Sequence, residues 1–580
     1  MPMEESKLLH KRASMSRSRT GCATCRRRRI KCDEGYPHCL RCLKAKLTCE
    51  GYFHAQPSTQ TSSCKPILLP KPGGVCHMTS LAWQARPCPR YKVARLSTPR
   101  PTAILLGETE VENRYLKYFH HETTSGFQSA YDWTLWNRLV LQGCHHEPFI
   151  RYAVVAIGAL HKSMPISSPS GEESLTKNSQ PMAKLHREFA YLTYGKALKY
   201  MQQAIDSGTG LRHALIACLL VVCFETHTGN RYKASTHAKY GLQILQQWRK
   251  STPPQIATSA LAPPDVEEDI VEAFRNLDIQ ITTVSDSRTF EEHERSMEED
   301  LPIVMSMPTY FDGLETAKMY CTIIMRRSNH FMGTTWTRTR PDLLTRAFKT
   351  QEGSTLVSLG DQIHTTAFTV DDTVREEQKP FFAEVVRWLE AFEPVFSRIR
   401  QAGHVSPRKY VIATILQIQA LCLKITLAGV LFTQEILYDE YLPEFKEIVR
   451  LSADVAKICH SNSSADFWAG SFLLDLGLVM PLFSLILRCR APVLRRHAID
   501  ILMHWHVECW WDPLLIVALG RFVMEVEEVG MKDEFIPEES RAILTAKSHR
   551  PPDRVLLVQC VQRTGGPGRG LTWTERYIKW

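Results

Sequence analysis

Cys22-Ala-Thr-Cys25-Arg-Arg-Arg-Arg-Ile-Lys-Cys32 and, six residues on, Cys39-Leu-Arg-Cys42-Leu-Lys-Ala-Lys-Leu-Thr-Cys49 are two copies of one pattern, C-x2-C-x6-C. A C-x2-C turn can bring both sulfurs to about 2.3 Å from one tetrahedral zinc. Each copy supplies three thiolates, whereas two separate tetrahedral sites would need eight donors. Six suffice if two sulfurs each serve both ions, and the pseudo-symmetry of the repeat singles out Cys22 and Cys39. The expected centre is therefore two Zn²⁺ held by Cys22, Cys25, Cys32, Cys39, Cys42 and Cys49. So small a segment cannot bury enough apolar surface to fold alone, so the metal must supply its folding energy.

Charge divides the chain at the same place. The 580 residues carry a formal net charge of +10. Residues 1–52 hold 13 Lys and Arg against 5 Asp and Glu, and residues 53–108 hold 7 against one, Glu108. Everything from residue 109 on nets −4. A basic head on a mildly acidic body points to a polyanion as partner of the head. Six thiolates around two Zn²⁺ carry −2, which leaves the head basic. Met1 to Arg12 lacks the apolar stretch of a secretory signal, so a reducing compartment is expected and the cysteine cluster reads as metal-binding. The longest apolar candidate for a membrane span, Phe472 to Leu487, is broken by Asp475 and Pro481, and no span is expected.

Between Cys25 and Cys32 lie Arg26, Arg27, Arg28, Arg29 and Lys31, five cations in six residues. The metal would tie both ends of this segment, which has room for two helical turns. Such a helix can enter a major groove, where Arg bonds guanine O6 and N7 while neighbouring cations hold phosphates. The same run can serve as a nuclear import signal together with Lys11 and Arg12.

Arg19-Thr20-Gly21-Cys22, the basic run with Cys32-Asp33-Glu34, then Pro37, Cys39, Cys42, Cys49 and Gly51-Tyr52 closely resemble the fungal binuclear zinc-cluster transcription factors. The resemblance covers residues 19–52. It implies a nuclear RNA polymerase II transcription regulator that binds double-stranded DNA and reads CGG-type triplets. It places base reading on Arg29, with Arg28 beside it. The family usually has Lys at the position of Arg29, and the forked guanidinium bears on which triplet is preferred. A zinc-dependent scaffold for protein or RNA is the alternative function.

Residues 53–108 contain eight prolines and Gly73-Gly74, the composition of a flexible linker. No heptad coiled coil can run through them, so either the protein binds DNA as a monomer or the large C-terminal region makes a homodimer. From 109 to 535 the pattern is helical. Phe189, Tyr194, Ala197, Leu198, Met201 and Ile205 recur at helical spacing up to Ser207-Gly208; Ala214 to Phe224 and Ala234 to Trp248 flank a turn at Gly229-Asn230. Ile157-Gly-Ala-Leu-His161, Leu215-Ile-Ala-Cys-Leu-Leu220 with Glu225, Pro481-Leu-Phe483, Cys489-Arg490 and Leu494-Arg-Arg496 resemble the helical regulatory domain that accompanies the cluster in one subgroup of that family.

The expected fold class is mainly α. A basic arm (1–21), a zinc-organised DNA-binding domain (22–52), a Pro-rich linker (53–108), an all-helical regulatory domain (109–535) and a C-terminal tail (536–580) follow in order. Two acidic-hydrophobic stretches, Val266 to Asp269 and Met524 to Val529, read as solvated helix faces or as contacts for coregulators. His145-His146-Glu147 and the His504/His506 pair read as ordinary helix residues. No nucleophile elbow, zincin motif or phosphate loop appears, and no enzymatic activity is expected.

Overall fold

The computed structural model divides the chain into two compact units, residues 1–99 and 100–580. It describes residues 22–28, 30, 32–33, 39–45 and 47–49 of the first, and 107–124, 135–164, 179–251, 266–284, 288–339, 370–402, 406–461, 472–473, 476–529, 531, 535–550, 554–563 and 571–580 of the second. The basic arm, the linker up to residue 106, Arg29, Lys31, Pro37 and the side chain of Arg26 lie outside the described residues.

Among its described residues the first unit has two five-residue helices, α1 (Ala23–Arg27) and α2 (Leu40–Lys44). The expected two-turn helix after Cys25 is shorter and begins earlier, because the first C-x2-C is itself the opening turn of α1. Beyond it the Ile30 N–H reaches back to the Cys25 carbonyl at 3.2 Å, a wider turn that ends the helix. Ile30, Leu40, Leu43 and Leu47 are all exposed, and among the described residues of this unit the buried hydrophobic cluster is the six cysteines. An interior made of thiols has no apolar driving force of its own.

The second unit is predominantly helical. α3 (Glu110–Tyr118) starts at a capping box in which Thr109 accepts from the Glu112 N–H and Glu112 accepts from Thr109. It is followed by α4 (Val140–His146), α5 (Pro148–Lys162), α6 (Ser179–Asp206), α7 (Leu211–His227) and α8 (Arg231–Ser251). α5 packs on α6 and α7 on α8 as neighbouring pairs. Gly158 lets α5 lie against α3, since a Cβ there would stand 2.6 Å from the Tyr115 carbonyl oxygen. Gly208 and Gly229 end α6 and α7 with φ of +81° and +78°, a conformation glycine adopts without cost. Of the six apolar positions expected to face the core from α6, Tyr194 and Ala197 are buried, whereas Leu198 and Ile205 are exposed. The core face follows Ala190, Thr193, Tyr194 and Ala197.

The chain continues through α9 (Glu268–Val284), α10 (Phe290–Glu299), α11 (Leu301–Met305), α12 (Leu314–Thr339), α13 (Asp372–Gln401), α14 (Pro407–Gly429) and α15 (Leu442–Ser461). α16 (Val479–Arg488), α17 (Pro492–Met503) and α18 (Pro513–Glu527) complete the helices. Proline opens α5, α14, α17 and α18, where its missing N–H costs nothing. α14 is long and apolar enough to cross a membrane, but most of it is buried in the core between its neighbours. Two short parallel strands, β1 (Phe472–Leu473) and β2 (Val507–Glu508), are an exception to the all-helical expectation for 109–535.

The segment expected as a tail is instead structured. β3 (Ala542–Arg550), β4 (Val555–Arg563) and β5 (Leu571–Lys579) form an antiparallel sheet in the order β3-β4-β5. Leu556, Val558 and Cys560 alternate inward along β4, the period-two pattern of a half-buried strand. The glycines at 565–568 fall in the connection between β4 and β5, outside the described residues. Polar contacts also fasten this segment to the helices. The Glu538 carboxylate accepts from the Glu435 and Ile436 N–H groups at 2.9 and 2.7 Å, and Arg541 pairs with Asp439 at 2.6 Å.

Candidate metal centre and its basic helix

The sulfurs of the two half-repeats interleave. Cys22 and Cys39 stand 3.7 Å apart, Cys25 and Cys39 3.5 Å, and Cys22 and Cys42 3.8 Å. Four sulfurs at about 2.3 Å from a shared tetrahedral ion stand about 3.8 Å from each other. Two groups of four have all sulfurs within 4.8 Å of one another: Cys22, Cys25, Cys32, Cys39 and Cys22, Cys39, Cys42, Cys49. They share Cys22 and Cys39, the pair singled out by the repeat. Among the described residues these are the only groups of His, Cys, Asp or Glu close enough to share an ion.

The polypeptide around the sulfurs is built to hold them. The Cys25 N–H points to Cys22 Sγ at 3.4 Å and the Cys42 N–H to Cys39 Sγ at 3.3 Å, the same contact in each half. The Cys22 N–H reaches Cys32 Sγ at 3.5 Å. Thr24 Oγ1 donates to the Thr48 carbonyl at 3.1 Å, tying the halves together. Asp33, directly after the third cysteine, accepts from the Leu40 and Arg41 N–H groups at 2.9 and 3.1 Å and so caps α2. Asp33 belongs to the motif, but nothing in its spacing signalled this capping role. Burial pushes the Cys22 thiol up to about 12 and also raises Cys25 and Cys39. A bound cation would offset that cost of burial by coordinating the sulfurs as thiolates. No disulfide joins the described cysteines. The donor set, burial and spacing all fit zinc.

Arg27 at the end of the helix that carries Cys25, and Arg28 in the turn that follows it, are exposed. The Arg28 N–H bonds the Thr24 carbonyl at 3.1 Å, so its backbone is set by the turn that holds the cysteines.

In the helical unit His504 and His506, expected as helix residues, instead follow the end of α17 at Met503. His145 and His146 are exposed at the end of α4, and His506 is driven down to about 4 by burial. The residues that resemble the regulatory domain have structural roles. Glu225 accepts from the Tyr194 hydroxyl at 3.0 Å. Arg490 and Arg495 enclose Glu527 at 2.9 and 2.5 Å, and Glu527 also accepts from the Ala542 N–H at 2.8 Å. Burial alone would raise the Glu527 carboxyl, but the two guanidinium groups outweigh it and hold it below the usual range. Glu527 therefore departs from the solvated-face reading of its stretch. A cleft between α9, α12, α14 and α16 is walled by Met325, Met332, Met480 and Phe483; its one charged lining residue among the described ones, Arg488, is paired with Glu435 at 2.6 Å.

Residues 20–58 match the fungal Zn(2)-Cys(6) binuclear cluster domain, and residues 114–275 match the fungal specific transcription factor domain. The aspercryptin biosynthesis cluster-specific transcription regulator atnN of Emericella nidulans is 28% identical over 264 residues, 44% of this chain and 39% of that protein. The transcription regulator lscL of Purpureocillium lilacinum is 25% identical over 224 residues, 38% of this chain and 48% of its own length. The transcriptional regulatory protein moc3 of Schizosaccharomyces pombe is 67% identical over 36 residues, 6% of this chain and 7% of its own. The chain thus spans less than half the length of each of these relatives. No solved structure matches it. The chain thus carries a fungal Zn(2)-Cys(6) binuclear cluster domain at its head and a fungal specific transcription factor domain behind it, and the relatives it resembles are named as transcription regulators.

Proposed function

We propose that the protein is a nuclear, sequence-specific DNA-binding regulator of RNA polymerase II transcription, and that its head reads CGG-type triplets. The observation that carries this reading is the pair of four-sulfur sets sharing Cys22 and Cys39, with α1 rising directly out of it. Two Zn²⁺ ions held by Cys22, Cys25, Cys32, Cys39, Cys42 and Cys49 would supply the folding energy that the exposed leucines do not. The zinc-held turn then presents the basic run to DNA. Arg29, with Arg28 beside it, donates to guanine in the major groove, while Arg26, Arg27 and Lys31 hold phosphates and set the register. The helical unit regulates the head and meets coregulators.

Selection of bound sequences from random duplex DNA by the zinc-loaded full chain tests this reading. Enrichment of a CGG-type triplet is expected. A pool with no enriched motif would refute the reading and favour a zinc-dependent protein or RNA scaffold. Within an enriched site, Arg29→Ala should cost about 1–3 kcal/mol and relax one base, whereas Arg26→Ala should weaken all sequences alike.

A further inference from the structure

The two edges of the C-terminal sheet are built differently. In the order β3-β4-β5 both outer strands are edges. β3 carries a register shift between Ala546 and Ser548, whereas β5 keeps one register against β4 over all nine of its residues. A bulge spoils an edge as a template for a further strand, and a long regular edge invites one. The sequence of β5, Leu571-Thr-Trp573-Thr-Glu575-Arg-Tyr577-Ile-Lys579, has no proline and is rich in residues that favour strands.

The register fixes which backbone groups face outward. The Trp580 N–H donates to the Arg554 carbonyl at 3.3 Å, so by alternation Ile578, Arg576, Thr574 and Thr572 turn their N–H and C=O groups to β4. Trp573, Glu575, Tyr577 and Lys579 turn theirs away from it. Neither Trp573 nor Tyr577 makes an outward backbone hydrogen bond to a described residue. Side chains alternate as well. One face of β5 packs on α18, where Ile578 is buried and Arg576 lies over the Phe522 ring and pairs with Glu525. The other face carries Trp573, Glu575, Tyr577 and Lys579, all exposed, with the two aromatic residues 40 and 72% exposed. Gln559 on β4 donates to the Glu575 carboxylate at 2.7 Å, which holds that charge between the two rings.

We propose that the β5 edge captures an extended segment of a partner protein, which adds to the sheet as a further strand. In this mode main-chain hydrogen bonds supply affinity and the side chains on one face supply selectivity. A residue directly opposite another on the neighbouring strand shares its face. Apolar residues therefore suit the positions opposite Trp573 and Tyr577, and a Lys or Arg suits the position between them, opposite Glu575. An acid suits the position opposite Lys579. The segment so defined alternates, with apolar, basic and apolar residues in turn on the face it shares with the two rings. A second copy of β5 paired antiparallel about Glu575 would set one carboxylate directly against the other, which disfavours that arrangement. Strand capture concerns the C-terminal sheet and needs neither zinc nor DNA, so it stands or falls apart from the DNA reading above.

Selection of peptides from a random displayed library on the immobilised, zinc-loaded full chain tests the proposal. Recovered peptides are expected to carry two apolar residues and a Lys or Arg at alternate positions, the cation in the middle. The same selection on Glu575→Lys should replace that cation by Asp or Glu. Tyr577→Pro deletes an N–H that points away from β4, so the β4–β5 ladder keeps its bonds. In fluorescence anisotropy with a recovered peptide, Tyr577→Pro should weaken binding by more than about tenfold, whereas Tyr577→Phe, which keeps both ring and N–H, should not. Circular dichroism of each variant should match the wild type. A library that yields no enriched pattern, a central preference indifferent to Glu575→Lys, or binding undiminished by Tyr577→Pro would each overturn the proposal.

Discussion

Replacing Cys39 by Ser tests whether one sulfur serves both ions. Cys39 belongs to both four-sulfur sets, whereas Cys49 belongs to one. Cys39→Ser therefore leaves two sets of three sulfurs, and Cys49→Ser leaves one set complete. An intact structural zinc site contributes apparent binding energy of about 10–16 kcal/mol, which in this head is also the folding energy. Among its described residues the head offers no aliphatic core to fall back on, because Ile30, Leu40, Leu43 and Leu47 face solvent. Cys39→Ser is expected to reduce bound zinc from two ions to none, with loss of DNA binding. Cys49→Ser should retain about one ion at matched free zinc. Zinc per chain after dialysis, measured by atomic emission, separates the two variants. If both lost the same amount of zinc, or if Cys39→Ser kept one ion bound, the shared-sulfur arrangement would be refuted.

Two further substitutions probe the supports of each unit. Asp33→Ala removes the acceptor for the Leu40 and Arg41 N–H groups; it should leave the zinc count unchanged but speed zinc transfer to a chelator, and an unchanged rate would deny Asp33 its capping role. Glu527→Gln keeps the shape of the side chain but leaves buried Arg495 without its carboxylate partner, while Arg490 keeps Glu435, at a cost of about 3–5 kcal/mol in thermal or urea unfolding. Because the folded Glu527 carboxyl lies below its usual range, its contribution is present above about pH 4.3 and lost as pH falls through the folded value. The stability gap between wild type and variant should accordingly narrow in acid; a gap that widens would contradict the ion-pair account.

The metal centre was legible because chelation is a local property. Two cysteines three residues apart can bind one ion whatever the rest of the chain does, and the repeat itself pointed to Cys22 and Cys39. The length of α1 was less legible, since the first cysteine pair takes up its opening turn. In the helical unit, spacing located the helices but not their orientation. Leu198 and Ile205 fit the three-to-four pattern as well as Tyr194 and Ala197 do, and only packing against α5 and α7 decides which face is covered. Glu527 looked like one acid among several, because its partners, Arg490 and Arg495, lie more than 30 residues away in sequence. The C-terminal sheet was missed for a related reason. The glycines between β4 and β5 read as a tail, while the alternation of Leu556, Val558 and Cys560 becomes decisive only with β3 and β5 alongside.

The central claim, that a zinc-held head reads DNA, is tested most directly by fluorescence anisotropy of a duplex carrying a CGG-type site. The zinc-loaded full chain should bind it more tightly than a scrambled duplex; chelation should abolish that preference and added Zn²⁺ restore it. Equal binding of both duplexes, or a preference that survives complete removal of zinc, would contradict the account.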